Sequence, residues 1–180
     1  APKGFASDAQ LEEAVKNSSF SDEDILRAFY IADDVRVEDG RLFVRVREEG
    51  PTSLAGMKAE HDVKGRGASE PLVRAGKKIT QSALKDIRRA HVGEVEVDSQ
   101  QFDGAYALAD VVNTETGEVI VEANNEITPA KLQEIAEAGV SEFTVFFPGR
   151  DDLGNVLAQT LKKDVVSEPV DAVLEVYRKM

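Results

Sequence analysis

Apolar residues recur along this 180-residue chain with two different periods. Residues 8–17 place Leu11, Ala14 and Val15 at helical spacing. Ser21-Asp22-Glu23-Asp24 then supplies an N-cap and first-turn acids ahead of Ile25, Leu26 and Phe29, so a second helix is expected to end near Tyr30. The period shortens to two at Val35-Arg36-Val37 and again over residues 42–46. Between these runs stands Glu38-Asp39-Gly40, a strong signal for a tight β-hairpin. Residues 48–71 are polar and rich in Gly and Ser, which predicts a long connection with Val63 on a short strand.

Next comes an internal repeat. Residues 73–97 align without gaps on residues 121–145 at an offset of 48, with 10 of 25 positions identical. Each unit reads as strand, turn, short helix, strand. Gly76 and Asn124 mark the turns. Ile79 and Ile127 precede the helix, Thr80 and Thr128 are its N-caps, and Pro129 suits the first helical position. Leu84, Ile87 and Ala90 form one stripe, matched by Leu132, Ile135 and Ala138. Gly93 or Gly139 is expected at the helix exit. Val95-Glu96-Val97 and Phe143-Thr144-Val145 are the closing strands. A second hairpin is expected between Ala105 and Val121, turning at Thr114–Gly117. Beyond it, residues 156–161 read as a strand. Residues 168–180 read as a helix with Val170, Val173, Leu174 and Tyr177 on one stripe. Two repeats are too few for a solenoid. The expected fold class is therefore α+β, strand-rich, with two related strand–turn–helix–strand modules and flanking helices at both ends.

Composition narrows the chemistry. With 42% hydrophobic residues but only 6% aromatics and no Trp, the interior must be built from Val, Ile, Leu and Ala. There is no Cys, which excludes disulfides and thiolate metal sites. No run approaches the ~20 apolar residues that span a bilayer, and no signal-peptide pattern opens the chain. The first residue is Ala1, and the amphipathic pattern runs up to Met180, so both ends read as cuts in a longer chain. The net charge of −12 makes nucleic acid an unfavoured default partner. That charge is uneven: residues 62–89 hold eight basic and three acidic side chains, residues 94–151 two basic and thirteen acidic. Two solvated faces, mutual attraction of the two segments, or an acidic partner for the basic one would each account for it.

No catalytic, cofactor or metal residue is expected. Asp33-Asp34 and Asp151-Asp152 read as isolated acidic pairs in solvated loops. His91 ends the first repeat helix, where its counterpart is Gly139, and reads as a structural histidine. His61 lies beside Glu60 without a third group to orient it. Gly65, Gly67 and Gly76 form neither a P-loop nor a dinucleotide fingerprint. Ala55-Gly56-Met57-Lys58-Ala59 is a partial echo of the Met-Lys-Met setting in biotinyl and lipoyl carrier domains, lacking the second Met.

Several stretches together resemble one family. Asp22 to Tyr30 resembles the helix that precedes an insertion in the lobe of the bacterial RNA polymerase β subunit. Thr160 to Asp164 and Ala172 to Met180 resemble the return to that lobe. Val73 to Thr80 and Thr116 to Asn125 resemble passages of the insertion itself. The likeness covers about residues 21–180; residues 1–20 and 48–70 are poorly matched. It implies lobe residues at 1–33, a lineage-specific insertion at 34–155 with modules at about 73–97 and 121–145, and a return segment with the lobe helix at 156–180. It implies barrel-sandwich-type modules and a cytoplasmic, non-catalytic part of a nucleotidyltransferase. The implied partners are the rest of the polymerase (β, β′, α, ω and σ) and regulators of the DksA and TraR secondary-channel class, without sequence-specific nucleic-acid contact, cofactor or membrane. The alternatives are a free-standing protein-interaction module and a biotinyl or lipoyl carrier.

Overall fold

The computed structural model describes residues 22–150. The helices expected at 8–17 and 168–180 and the strand at 156–161 lie outside the described residues, as does Asp151-Asp152. Helix α1 (Asp22–Phe29) leads into β1 (Asp33–Glu38) and β2 (Arg41–Arg45). Helix α2 (Gln81–Arg89) and β3 (Glu94–Val97) follow, then a 3-10 turn (Ser99–Phe102). Strands β4 (Tyr106–Ala107), β5 (Val111–Val112) and β6 (Val119–Val121) precede α3 (Pro129–Glu137) and β7 (Glu142–Phe146). The architecture is α+β, with a five-stranded antiparallel sheet in the order β3-β2-β1-β7-β4 and a two-stranded sheet of β5 and β6. Neither sheet closes into a barrel among the described residues.

The hairpin forms as its sequence demands. Asp39 and Gly40 both have positive φ (50° and 75°), the conformation of a two-residue turn matched to strand twist. Alternation along the strands then sorts the sheet faces. Val35, Val37, Leu42, Val44, Val95, Val97, Phe143 and Val145 are buried on one face. Leu84, Ile87, Leu132 and Ile135 of the two helices join the same cluster. Thr80 Oγ1 accepts from Ala83 N (3.1 Å) and Thr128 Oγ1 from Lys131 N (3.3 Å), so both expected caps are in place.

The repeat extends well beyond the stretches visible by identity. Met57 N bonds Leu54 O (3.1 Å), and 48 residues on Ala105 N bonds Phe102 O (3.0 Å). Gly76 N bonds Ala59 O and Asn124 N bonds Ala107 O, both at 2.7 Å. Asp62 Oδ1 accepts from Ala75 N (2.8 Å), Asp110 Oδ1 from Ala123 N (2.7 Å). Each half therefore runs from about residue 54 to 97 and from about 102 to 145. The hairpin strands complete them. Val46 N bonds Gly93 O (2.9 Å) and Val37 N bonds Ser141 O (2.8 Å), so β2 serves the first half and β1 the second. A pseudo-twofold axis passes through the Val35–Val44 register pair.

The helix exits differ from expectation. Gly139 has φ +73°, and its equivalent is His91 at φ +55°, whereas Gly93 is not among the positive-φ residues. The left-handed residue that ends each helix is set by position in the repeat, and His91 occupies it despite its Cβ. No atom lies within 4 Å of a Cβ built at Gly139, so only backbone conformation opposes a side chain there. Gly139→Ala is expected to lower unfolding free energy by about 1–2 kcal/mol in urea titration. Thr128→Ala is expected to lower it by about 1 kcal/mol through loss of the cap.

Candidate functional site

The face of the five-stranded sheet opposite the core is a lattice of charge. Arg36 donates to both carboxylate oxygens of Glu94 (2.9 and 2.6 Å) and to Glu38 (2.6 Å). Arg45 lies 3.3 Å from Glu142. These two pairs are equivalents under the pseudo-twofold, each crossing from one half to the other. Arg41 grips Glu96 bidentately (2.9 and 2.7 Å), and His61 Nε2 lies 3.3 Å from the same carboxylate. Phe43 sits beneath two guanidinium groups, with Arg36 at 4.3 Å and Arg41 at 5.2 Å from its ring centre.

This pairing fixes protonation. Hydrogen bonds from Arg36 hold Glu94 below the usual carboxylate range, and those from Arg41 do the same for Glu96. The Glu94 and Glu38 carboxylates hold the Arg36 guanidinium still more firmly charged. A carboxylate held charged by a guanidinium is a poor proton donor near neutral pH. A depressed folded-state pKa contributes stability above the unfolded value and loses it as pH falls through the folded one. Melting temperature is therefore expected to fall below pH ~4.3. Glu94→Gln with Glu96→Gln should flatten that acid limb in a pH series of thermal melts.

Asp33 and Asp34 are not a solvated pair. Asp33 is 1% exposed. Its carboxylate accepts from Thr52 Oγ1 (2.5 Å) and Ser53 N (2.8 Å), while Asp34 Oδ1 accepts from Thr144 Oγ1 (2.7 Å). These donors come from distant parts of the chain, which is why the sequence reading missed them. Lys58 does not lie at a hairpin tip as a carrier lysine would; it pairs with Lys78 in an antiparallel bridge. No ion pair joins residues 62–89 to the acidic second half among the described residues.

A groove opens where the two halves differ. In the first half, Arg88 on α2 donates from Nε to Arg47 O (2.8 Å) and from Nη2 to Gly50 O, strapping the helix to that loop. The equivalent residue on α3 is Ala136, which has no such arm. A groove of about 670 Å³ remains between α3, the Asp39–Gly40 turn and Ser99. A second hollow of about 410 Å³ adjoins it along Phe102, Ile127 and Leu132. The floor is apolar, and Asp39, Asp103, Glu126 and Glu137 edge it.

Known relatives match nearly the whole chain. It is 43% identical over 162 residues to the DNA-directed RNA polymerase subunit beta of Koribacter versatilis, and 40% identical over 160 residues to that of Solibacter usitatus. The chain is homologous to a segment of the RNA polymerase β subunit. Each alignment covers 89% of this chain but 11% of the relative. The β subunit of Syntrophotalea carbinolica is 33% identical over 92% of the chain and 12% of the relative. No family model matches the chain. The chain spans about a ninth of the length of the curated relatives it matches. No helix among the described residues is long and apolar enough to cross a membrane.

Proposed function

We propose that this chain is a non-catalytic accessory region of the RNA polymerase β subunit that offers a docking surface to transcription regulators. The observation that carries the reading is the match over 89% of the chain to segments amounting to 11% of β subunits. The division into lobe residues 1–33, insertion 34–155 and return segment 156–180 belongs to the same proposal. So does assembly in the cytoplasm with the rest of β and with β′, α, ω and σ in a DNA-directed RNA polymerase. In this reading the sheet and its ion-pair lattice are a rigid platform, and the α3 groove is the contact surface. An apolar floor edged by carboxylates suits a basic amphipathic segment, buried at its centre and steered by charge at its rim. Regulators of the DksA and TraR class are the intended occupants.

Deleting residues 34–146 from the parent subunit is expected to leave basal RNA synthesis intact in the assembled polymerase. It should weaken such a regulator at least tenfold, about 1.4 kcal/mol. Ala136→Arg, which copies Arg88 into the second half, should weaken the regulator without lowering the melting temperature. Unchanged regulator affinity in both variants would remove the docking role. Loss of basal synthesis from a correctly assembled deletion enzyme would remove the accessory role.

A further inference from the structure

The two halves share a backbone but oppose one another in charge. Arg74 stands where the second half has Glu122, Lys78 where it has Glu126, and Lys58 where it has Tyr106. Lys58 and Lys78 are partners in an antiparallel bridge. The bonds beside them run from Ala59 N to Lys77 O (3.1 Å) and from Ile79 N to Met57 O (2.8 Å). That pattern makes Lys58–Lys78 a non-hydrogen-bonded pair, the kind that brings facing side chains closest. Like charges opposed in this way destabilise a sheet unless something neutralises them. Arg74 and Lys77 bracket the adjoining turn, with Lys77 N bonded to Arg74 O (3.1 Å). All four side chains are exposed. None makes an ion pair among the described residues. On the adjoining segment, Asp62 is engaged by the backbone, accepting from Ala75 N (2.8 Å).

We infer that Lys58, Arg74, Lys77 and Lys78 form a sequence-independent contact for the phosphate backbone of duplex DNA. The patch is charge without an apolar centre. The large hydrophobic side chains exposed among the described residues are Val112 and Val119, both in the other half. A protein partner would need desolvated anchors that the patch does not offer. Strand addition is blocked as well, because Ala59 already pairs with Val97 on one side and Lys77 on the other. Lysines acting as point charges suit phosphate oxygens. With a net charge of −12 on the whole chain, the contact is local, weak and salt-sensitive. The inference goes beyond the accessory reading and does not depend on it, since the isolated chain can be tested.

The test is fluorescence anisotropy of a short labelled DNA duplex titrated with the 180-residue chain at low salt. Four phosphate contacts predict a slope of log affinity against log salt of about −3.6. Lys58→Gln with Lys78→Gln should halve that slope and weaken binding about tenfold at low salt. Its melting temperature should be unchanged or raised, because the lysine repulsion is gone. Arg27→Gln with Lys131→Gln makes the same change of net charge elsewhere and should leave affinity within about threefold. Absence of binding at low salt, or equal weakening by the two double variants, would overturn the inference. So would polyglutamate binding as tightly as the duplex, which would assign the patch to an acidic protein instead.

Discussion

The register of the β1–β2 hairpin is the constraint on which the rest of the structure depends. Val35 faces Val44 at the pseudo-twofold, and both are completely buried. Because each strand of the hairpin belongs to a different half, the same pairing that closes the hairpin also joins the halves. A shift of one residue would turn Val35, Val37, Leu42 and Val44 out to solvent and Arg36, Phe43 and Arg45 into the core. The Asp39-Gly40 turn prevents that shift locally, and the diagonal Arg36–Glu94 and Arg45–Glu142 pairs oppose it from the solvent face.

The near-symmetry also explains where surface features arise. Equivalent backbone positions hold the same hydrogen bonds, so the fold tolerates different side chains wherever they point outward. Arg88 spans from α2 to the Arg47–Gly50 loop, whereas Ala136 leaves a groove beside α3. Lys78 and Glu126 occupy matched bridge positions with opposite charge. The result is one scaffold presenting an acidic groove on one half and an unneutralised cationic patch on the other.

The buried ionisable groups follow the same logic. Asp33 occupies the position equivalent to Leu42, so one half has a carboxylate where the other has a core side chain. It is kept there by the Thr52 hydroxyl and the Ser53 amide, which supply the hydrogen bonds that water would otherwise give. Asp33 thereby fixes the long connection leaving β2 against the sheet.

The sequence by itself determined the local elements: the hairpin from Asp39-Gly40, the caps at Thr80 and Thr128, the two helical stripes, and half of the repeat. Those signals rest on turn conformation and side-chain periodicity, which act over a few residues and are legible in order. The resemblance to the β subunit was legible too, because motif order and spacing survive along a single chain. The remainder of the repeat was harder to see because residues 54–72 and 102–120 keep their backbone hydrogen bonds while sharing only scattered identities, such as Asp62 with Asp110, among differences such as Lys58 against Tyr106. Only the tertiary structure decided that β1 and β2 serve opposite halves, that Asp33 is buried, and that no ion pair joins the basic to the acidic segment among the described residues. Each of these depends on which distant residues meet across a sheet, and a pairing of that kind is set by packing rather than by neighbours in sequence.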